Sequence, residues 1–233
     1  MTKNNQAMIS LQQVRKSYKL ATGTLDVLKN IDLEIQRGEF VAIAGPSGSG
    51  KSTLINMITG IDRPDSGEVY VAGQRLTKLG ENRVAKWRGN NVGVIFQFFQ
   101  LLPTLSVIEN VMMPMNYVGT YAGEREERAM ELLELVNLSD IPNKYPAQIS
   151  GGQQQRAAIA RALANDPKIL VGDEPTGNLD SESALAVFEL FERLVDQGRT
   201  IVMVTHDEDL ADRVPRVVHV DEGNIVDDGY ASA

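Results

Sequence analysis

The chain has 233 residues, 42% of them hydrophobic, and a formal net charge of -8 from 23 Lys and Arg against 31 Asp and Glu. This size and apolar content suit one compact domain with a subdomain, and the acidic balance leaves no basic surplus to neutralise a nucleic-acid backbone, so no nucleic-acid partner is expected. The absence of cysteine excludes disulfides and thiolate metal sites and suits a reducing compartment.

The chain opens on the polar run Met1-Thr2-Lys3-Asn4-Asn5-Gln6, which lacks the apolar centre of a signal peptide. From Ile9 to about Val71 short strands and turns are expected, with a hairpin-like turn at Arg37-Gly38-Glu39 and a second turn at Asp62-Arg63-Pro64-Asp65-Ser66-Gly67. Within this part Phe40-Val41-Ala42-Ile43-Ala44 reads as a buried strand, and Thr53-Leu54-Ile55-Asn56-Met57-Ile58 reads as a helix. From about Trp87 to Ala164 the pattern turns helical; residues 124–135 place charges on one face and Met130 and Leu133 on the other. After Pro167 strands return at Ile169-Leu170-Val171, at Thr200-Ile201-Val202-Met203-Val204 and at Val217-Val218-His219-Val220, with a helix over residues 183–195 between the first two. Strands alternating with helices imply an α/β fold on a mostly parallel sheet, with the helical middle inserted into it. No run approaches the roughly 18–20 apolar residues of a membrane span, so any membrane contact is expected through a partner.

Three places carry chemistry. Between the buried strand and the following helix lies Gly45-Pro46-Ser47-Gly48-Ser49-Gly50-Lys51-Ser52, the G-x-x-x-x-G-K-[ST] pattern in its strand-loop-helix setting. Its glycines let successive amides and the helix N-terminus face the phosphates of a nucleotide triphosphate, Lys51 reaches the β and γ phosphates, and the Ser52 hydroxyl binds Mg2+. The segment from Gly45 through Thr53 is the expected nucleotide seat. At the end of Ile169-Leu170-Val171-Gly172, Asp173 and Glu174 sit at the sheet edge where parallel sheets bind ligands. The bland reading is a solvated loop pair before Pro175; beside a phosphate loop, Asp173 is the expected Mg2+ holder and Glu174 the general base. Finally, Ser150-Gly151-Gly152-Gln153 is a capping box opening a helix over residues 154–164, and also an anion site at a helix N-terminus. One nucleotide needs one phosphate cradle. A second suggests a composite site built across a dimer.

These motifs, in this order, resemble the ATP-binding cassette (ABC) ATPases over nearly the whole chain. The resemblance implies a P-loop NTPase core made of residues 1–86 and 166–233, with an N-terminal antiparallel β subdomain and a helical subdomain over about residues 87–165 that carries the signature at Ser150, Gly151, Gly152 and Gln153. It implies that Gln97, at a strand end, senses Mg2+ and the γ-phosphate, that Asp180 in Asn178-Leu179-Asp180 reaches across the dimer, and that His206 contacts the γ-phosphate. Tyr18, in Lys16-Ser17-Tyr18-Lys19, stands where the family stacks an aromatic on adenine, although aromatics are also common at strand edges. A lone histidine is more often structural than catalytic, and His206 is promoted by the surrounding motifs alone; His219 has none and stays structural. Two departures are Ile149, where leucine usually precedes the signature serine, and Gly172, where a larger apolar residue is usual and looser packing is expected.

The wording around Phe96-Gln97-Phe98-Phe99-Gln100-Leu101-Leu102-Pro103-Thr104-Leu105, with Pro175-Thr176-Gly177-Asn178-Leu179-Asp180 later, is similar to the LolD/MacB-like branch, whose members work with FtsX-like permeases. The implied partners are a second copy of the chain in the presence of ATP and a separate integral membrane permease at the cytoplasmic face of the inner membrane. The implied role is export or extraction of a lipoprotein, peptide, drug or similar substrate. Residues 98–105 are the expected permease contact. Met112, Met113 and Met115 either adapt to that partner or pack the helical subdomain. Two other roles stay open: a non-transporting regulator signalling through a permease-like partner to envelope enzymes, and a soluble cassette ATPase acting on nucleic acid or ribosomes, whose known forms usually carry the tandem cassettes or long coiled-coil insertion that this single acidic cassette lacks.

Overall fold

Two long strands, β1 (Ile9–Leu20) and β2 (Gly23–Ile35), run antiparallel, and β1 also pairs with β4 (Ser66–Val71), which pairs in turn with the short β5 (Gln74–Arg75). The computed structural model describes residues 7–21 and 23–230, so the polar run at residues 1–6 lies outside them. Where short strands were expected, β1 and β2 have 12 and 13 residues. Breaks in pairing after Leu11 and Val14 let the ribbon bend, and Gln13 at the first break has a left-handed φ of 50°.

The second sheet has the order β10-β9-β3-β8-β7-β6. Its strands are β3 (Phe40–Ala44), β6 (Val92–Phe96), β7 (Ile169–Asp173), β8 (Thr200–Val204), β9 (Arg216–Asp221) and β10 (Asn224–Tyr230). The run from β9 to β6 is parallel, and β10 returns antiparallel to β9. Strands β3 and β8 are buried at every position, as expected of apolar runs covered on both faces. Alternation then divides two cores. Val41, Ile43, Val171, Val202 and Val204 face α1 (Lys51–Thr59) and the antiparallel sheet. Phe40, Ala42, Leu170, Ile201 and Met203 face the helical side.

The other helices are α2 (Glu81–Asn91), α3 (Val107–Val118), α4 (Arg125–Leu135), α5 (Gly151–Leu163), α6 (Ser181–Asp196) and α7 (Glu208–Ala211). Helix α3 opens on a capping box between Ser106 and Glu109 and ends at Gly119. Met115 is fully buried and Met112 packs on the core, so two of the three methionines are packing residues.

Three local expectations change. Arg37-Gly38-Glu39 links β2 to β3, which lie in different sheets, so it is a crossing and not a hairpin. Strand β6 falls inside the stretch assigned to the helical subdomain, yet it pairs with β7 as an edge of the parallel sheet. Helix α5 begins at Gly151 and not at Gln154, because Ser150 already caps it.

Candidate nucleotide site

The phosphate-loop residues lie where β3 ends and α1 begins, so their amides precede a helix N-terminus with its positive dipole. Gly45 takes φ 144°, and a Cβ there would stand 2.0 Å from the Val220 carbonyl oxygen of β9; only glycine fits. The Lys51 ammonium donates to the Gly45 and Pro46 carbonyls, both at 2.7 Å. Burial pulls Lys51 below its ordinary pKa, against the opposing pull of Glu174 and Asp173. The Ser49 hydroxyl is buried without a partner, a donor ready for an anion.

Asp173 ends β7, and Ser52 donates to its Oδ1 at 3.3 Å. Burial raises the Asp173 pKa, with Ser52 acting against that and Glu174 adding to it. A carboxylate and a hydroxyl at the foot of a phosphate loop are hard oxygen donors that fit Mg2+ completed by phosphate oxygens. Glu174 follows with φ 49°, a left-handed conformation for a non-glycine residue, and its amide donates a hydrogen bond to the Val204 carbonyl at 3.0 Å. Its Oε1 lies 3.0 Å from His206 Nδ1, the histidine standing just past β8. A cavity of about 590 Å3 joins Lys51, Ser52, Thr53, Glu174 and His206. Residues from three separate stretches therefore face one space.

Gln97 follows β6; its carbonyl accepts from Asn178 Nδ2 at 2.9 Å, and its Nε2 lies 2.9 Å from the point where a Cβ on Gly177 would stand. The loop after Glu174 thus holds the residue after β6. Gly172 is explained by the same loop: a Cβ there would meet Pro175 Cγ at 2.9 Å. The expected looseness is absent, because the proline ring fills the space.

Ser150 and Asp180 are both helix caps. Ser150 accepts from the Gln153 amide at 3.3 Å and its own amide donates to Gln153 Oε1 at 2.9 Å, the capping box expected. Asp180 accepts from the Ser183 amide and hydroxyl, both at 2.9 Å, and these bonds hold its carboxyl below the usual range. Ser150, Gly151, Gly152, Gln153 and Asp180 do not line the cavity that contains Lys51 and Glu174.

Tyr18 does not line it either. Its hydroxyl donates to Asp62 Oδ2 at 2.9 Å, and the Lys16 ammonium, itself 2.9 Å from Asp62 Oδ1, lies 5.1 Å from the ring centroid. Asp62, Asn178 and Arg161 are residues with site contacts to which sequence reasoning gave no role. For Arg161 a signal existed: an arginine on the buried face of an apolar helix.

Among the described residues no helix is long and apolar enough to cross a membrane. A second cavity of about 800 Å3 lies between α2, β6, α3 and α5, lined by Phe96, Gln100, Met113 and Tyr117 among others. Tyr117 is 83% exposed at its edge, and Phe98, 71% exposed, lies in the chain between the lining residues Phe96 and Gln100.

A phosphate loop on a parallel sheet, a paired carboxylate and histidine across from it, an antiparallel sheet on one side and helices on the other define a P-loop nucleotide hydrolase of the cassette type. Comparison with known proteins agrees. The ABC transporter family profile matches residues 28–177, and the chain belongs to that family. Its members bind and hydrolyse ATP, and this chain is an ATPase. It is 48% identical over 224 residues to the lipoprotein-releasing system ATP-binding protein LolD 1 of Chlorobium chlorochromatii, covering 95% of this chain and 91% of that one. It is 46% identical to the pyoverdine export ATP-binding/permease protein PvdT of Pseudomonas savastanoi pv. phaseolicola, over 95% of this chain but 34% of that longer protein. A solved structure of the ATP-binding cassette MJ0796, dimeric and bound to ADP and Pi, superposes with a TM-score of 0.89 at 40% identity, covering 97% of this chain and all of that one.

Proposed function

We propose that two copies of this chain close around ATP and Mg2+, hydrolyse the nucleotide and drive a separate FtsX-like permease that exports or extracts a lipoprotein, peptide, drug or similar substrate. In this reading the segment from Gly45 to Thr53 holds the phosphates, Tyr18 stacks on the adenine, and Ser52, Asp173 and Gln97 hold Mg2+. The metal supplies charge neutralisation across the phosphate oxygens. Glu174 takes the proton of the attacking water at its carboxylate, and His206, 3.0 Å away, fixes that carboxylate and faces the γ-phosphate. Ser150, Gly151, Gly152, Gln153 and Asp180 of one copy complete the site of the other, a division that the dimeric MJ0796 cassette supports.

The observation that carries the transport role is the apolar groove beside β6, lined by Phe96, Met113 and the exposed Tyr117. Its occupant in this reading is a cytoplasmic helix of the permease, placing the ATPase at the cytoplasmic face of the inner membrane. The relatives support an export or release system: LolD 1 is part of a lipoprotein-releasing system, and PvdT carries a permease in the same chain as its ATP-binding part. The test is affinity purification of Glu174→Gln from detergent-solubilised native membranes with ATP and Mg2+. A permease with few spans and a large extracytoplasmic domain is the expected companion, and its reconstitution with the ATPase moves a substrate. Recovery of no membrane protein overturns the transport reading. A permease that moves nothing but activates an envelope enzyme replaces it with the regulatory one.

A further inference from the structure

Immediately after Gln97 the backbone does something costly. Phe99 and Gln100 take φ of 59° and 56°, two consecutive non-glycine residues in the left-handed region. Local hydrogen bonds fold the segment tightly, from the Phe99 amide to the Phe96 carbonyl at 3.2 Å and from the Gln100 amide to the Phe98 carbonyl at 2.5 Å. Such a pair persists only where its surroundings over-determine it.

The surroundings are supplied by α5. Arg161, in its last turn, is 8% exposed and donates from Nη2 to the Phe99 carbonyl at 2.8 Å and from Nη1 to the Gln100 carbonyl. Burial, with no carboxylate contributing, pulls its guanidinium below the ordinary value. A buried cation is expensive; among the described residues Arg161 has no carboxylate partner, and its donors go to the successive carbonyls of Phe99 and Gln100. The fork gives each carbonyl its own nitrogen at a fixed separation, whereas the shorter lysine side chain would have to bring one nitrogen to both. The other end of α5 touches the same turn, since Phe99 Cζ lies 3.7 Å from where a Cβ on Gly151 would stand. The turn therefore meets the signature helix at both its first and its last turn. It also borders the apolar groove, which both Gln100 and Arg161 line.

We propose that Arg161 is a positioning residue of the ATPase: its fork holds the Phe99-Gln100 turn in the left-handed form and thereby sets Gln97 against Gly177 and Asn178, where Gln97 meets the nucleotide. The proposal rests on the reading of Gln97 as the Mg2+ and γ-phosphate contact.

The test is steady-state ATPase kinetics on the full chain with saturating Mg2+. Arg161→Lys lowers kcat about tenfold, because a sub-ångström misplacement of a contact made in the transition state acts on kcat. KM for ATP stays within about twofold, because the phosphate loop is untouched. Adding Gln100→Gly, which makes the left-handed conformation inexpensive, restores kcat to within about threefold of wild type. Gln100 is exposed, so Gln100→Val, with the clamp intact but a β-branched residue that resists φ near 56°, folds whether or not the arginine variant does. It lowers kcat as Arg161→Lys does. A double variant as slow as Arg161→Lys, or a Gln100→Val enzyme at the wild-type rate, overturns the clamp. Gln97→Ala measured alongside separates the two levels. At the wild-type rate it overturns both the Gln97 role and the clamp; slow, beside an unrescued double variant, it leaves the clamp alone overturned.

Discussion

Replacing Gly172 by alanine puts a methyl group where Pro175 already stands. The added Cβ would lie 2.9 Å from Pro175 Cγ and 3.3 Å from its Cβ and Cδ. Carbon contacts settle near about 3.5–4.0 Å, so the rigid ring must retreat by about 0.6 Å or more. The strand cannot give way instead, because Gly172 is paired with Ile95 on one side and Met203 on the other. The displacement therefore falls on the loop that begins with Glu174. It also pulls on the buried bond from Gln155 Nε2 to the Pro175 carbonyl. Overpacking of this kind costs about 1–3 kcal/mol. At about 2 kcal/mol a domain of this size loses about 4–8 °C in Tm, and a shift of that size at the general base reduces kcat by on the order of tenfold. Calorimetry without nucleotide and steady-state ATPase assays read both effects. Wild-type Tm together with wild-type kcat refutes the packing argument; a lowered Tm with wild-type kcat shows that the ring moves without carrying Glu174.

Glu174→Gln lowers turnover by roughly 10²-fold or more with ATP binding retained, and light scattering at saturating ATP shows this variant as a homodimer; monomer at protein well above micromolar contradicts the composite site. Asp173→Asn raises the Tm of the Mg2+-free protein while abolishing hydrolysis. The folded pKa of Asp173 lies above its 3.8 reference, so its proton linkage favours folding in acid and that contribution is lost as pH rises through the raised value. Removing the carboxylate removes that loss. The Tm gain of Asp173→Asn over wild type accordingly grows from pH 4 toward neutrality, and a constant difference contradicts the assignment. Ser150→Ala loses a helix cap, costing about 1 kcal/mol and about 2–4 °C in Tm, and in the Glu174→Gln background it weakens ATP-driven dimerisation measured by the same scattering.

Local chemistry was legible because it is written in short, contiguous words. The strand, loop and helix around Lys51 follow directly from the apolar run, the glycines and the helix-forming residues after them, and the Ser150 capping box is a spacing rule. Strand β6 was absorbed into the helical middle because only five residues separate α2 from the turn before α3, and their apolar run has no period that distinguishes strand from buried helix. The left-handed residues Glu174, Phe99 and Gln100 could not be read, since none is glycine or asparagine and tertiary contacts alone impose their backbones. Gly172 was misjudged for the same reason. Its meaning depends on Pro175 folding back over it, a contact between residues three apart that no pattern along the strand announces.

The order of strands in the parallel sheet also bears on how the protein is made. Strand β3, which leads into Lys51, lies between β8 and β9, and the Ser49 carbonyl accepts from the Gly223 amide in the turn after β9. A chain emerging from the ribosome exposes its phosphate loop early but cannot wall it in until some 170 further residues have followed, a contact separation that slows folding. A nascent chain halted anywhere before β8 is accordingly unable to recruit ATP as a folding ligand, and the nucleotide rewards only a nearly finished molecule.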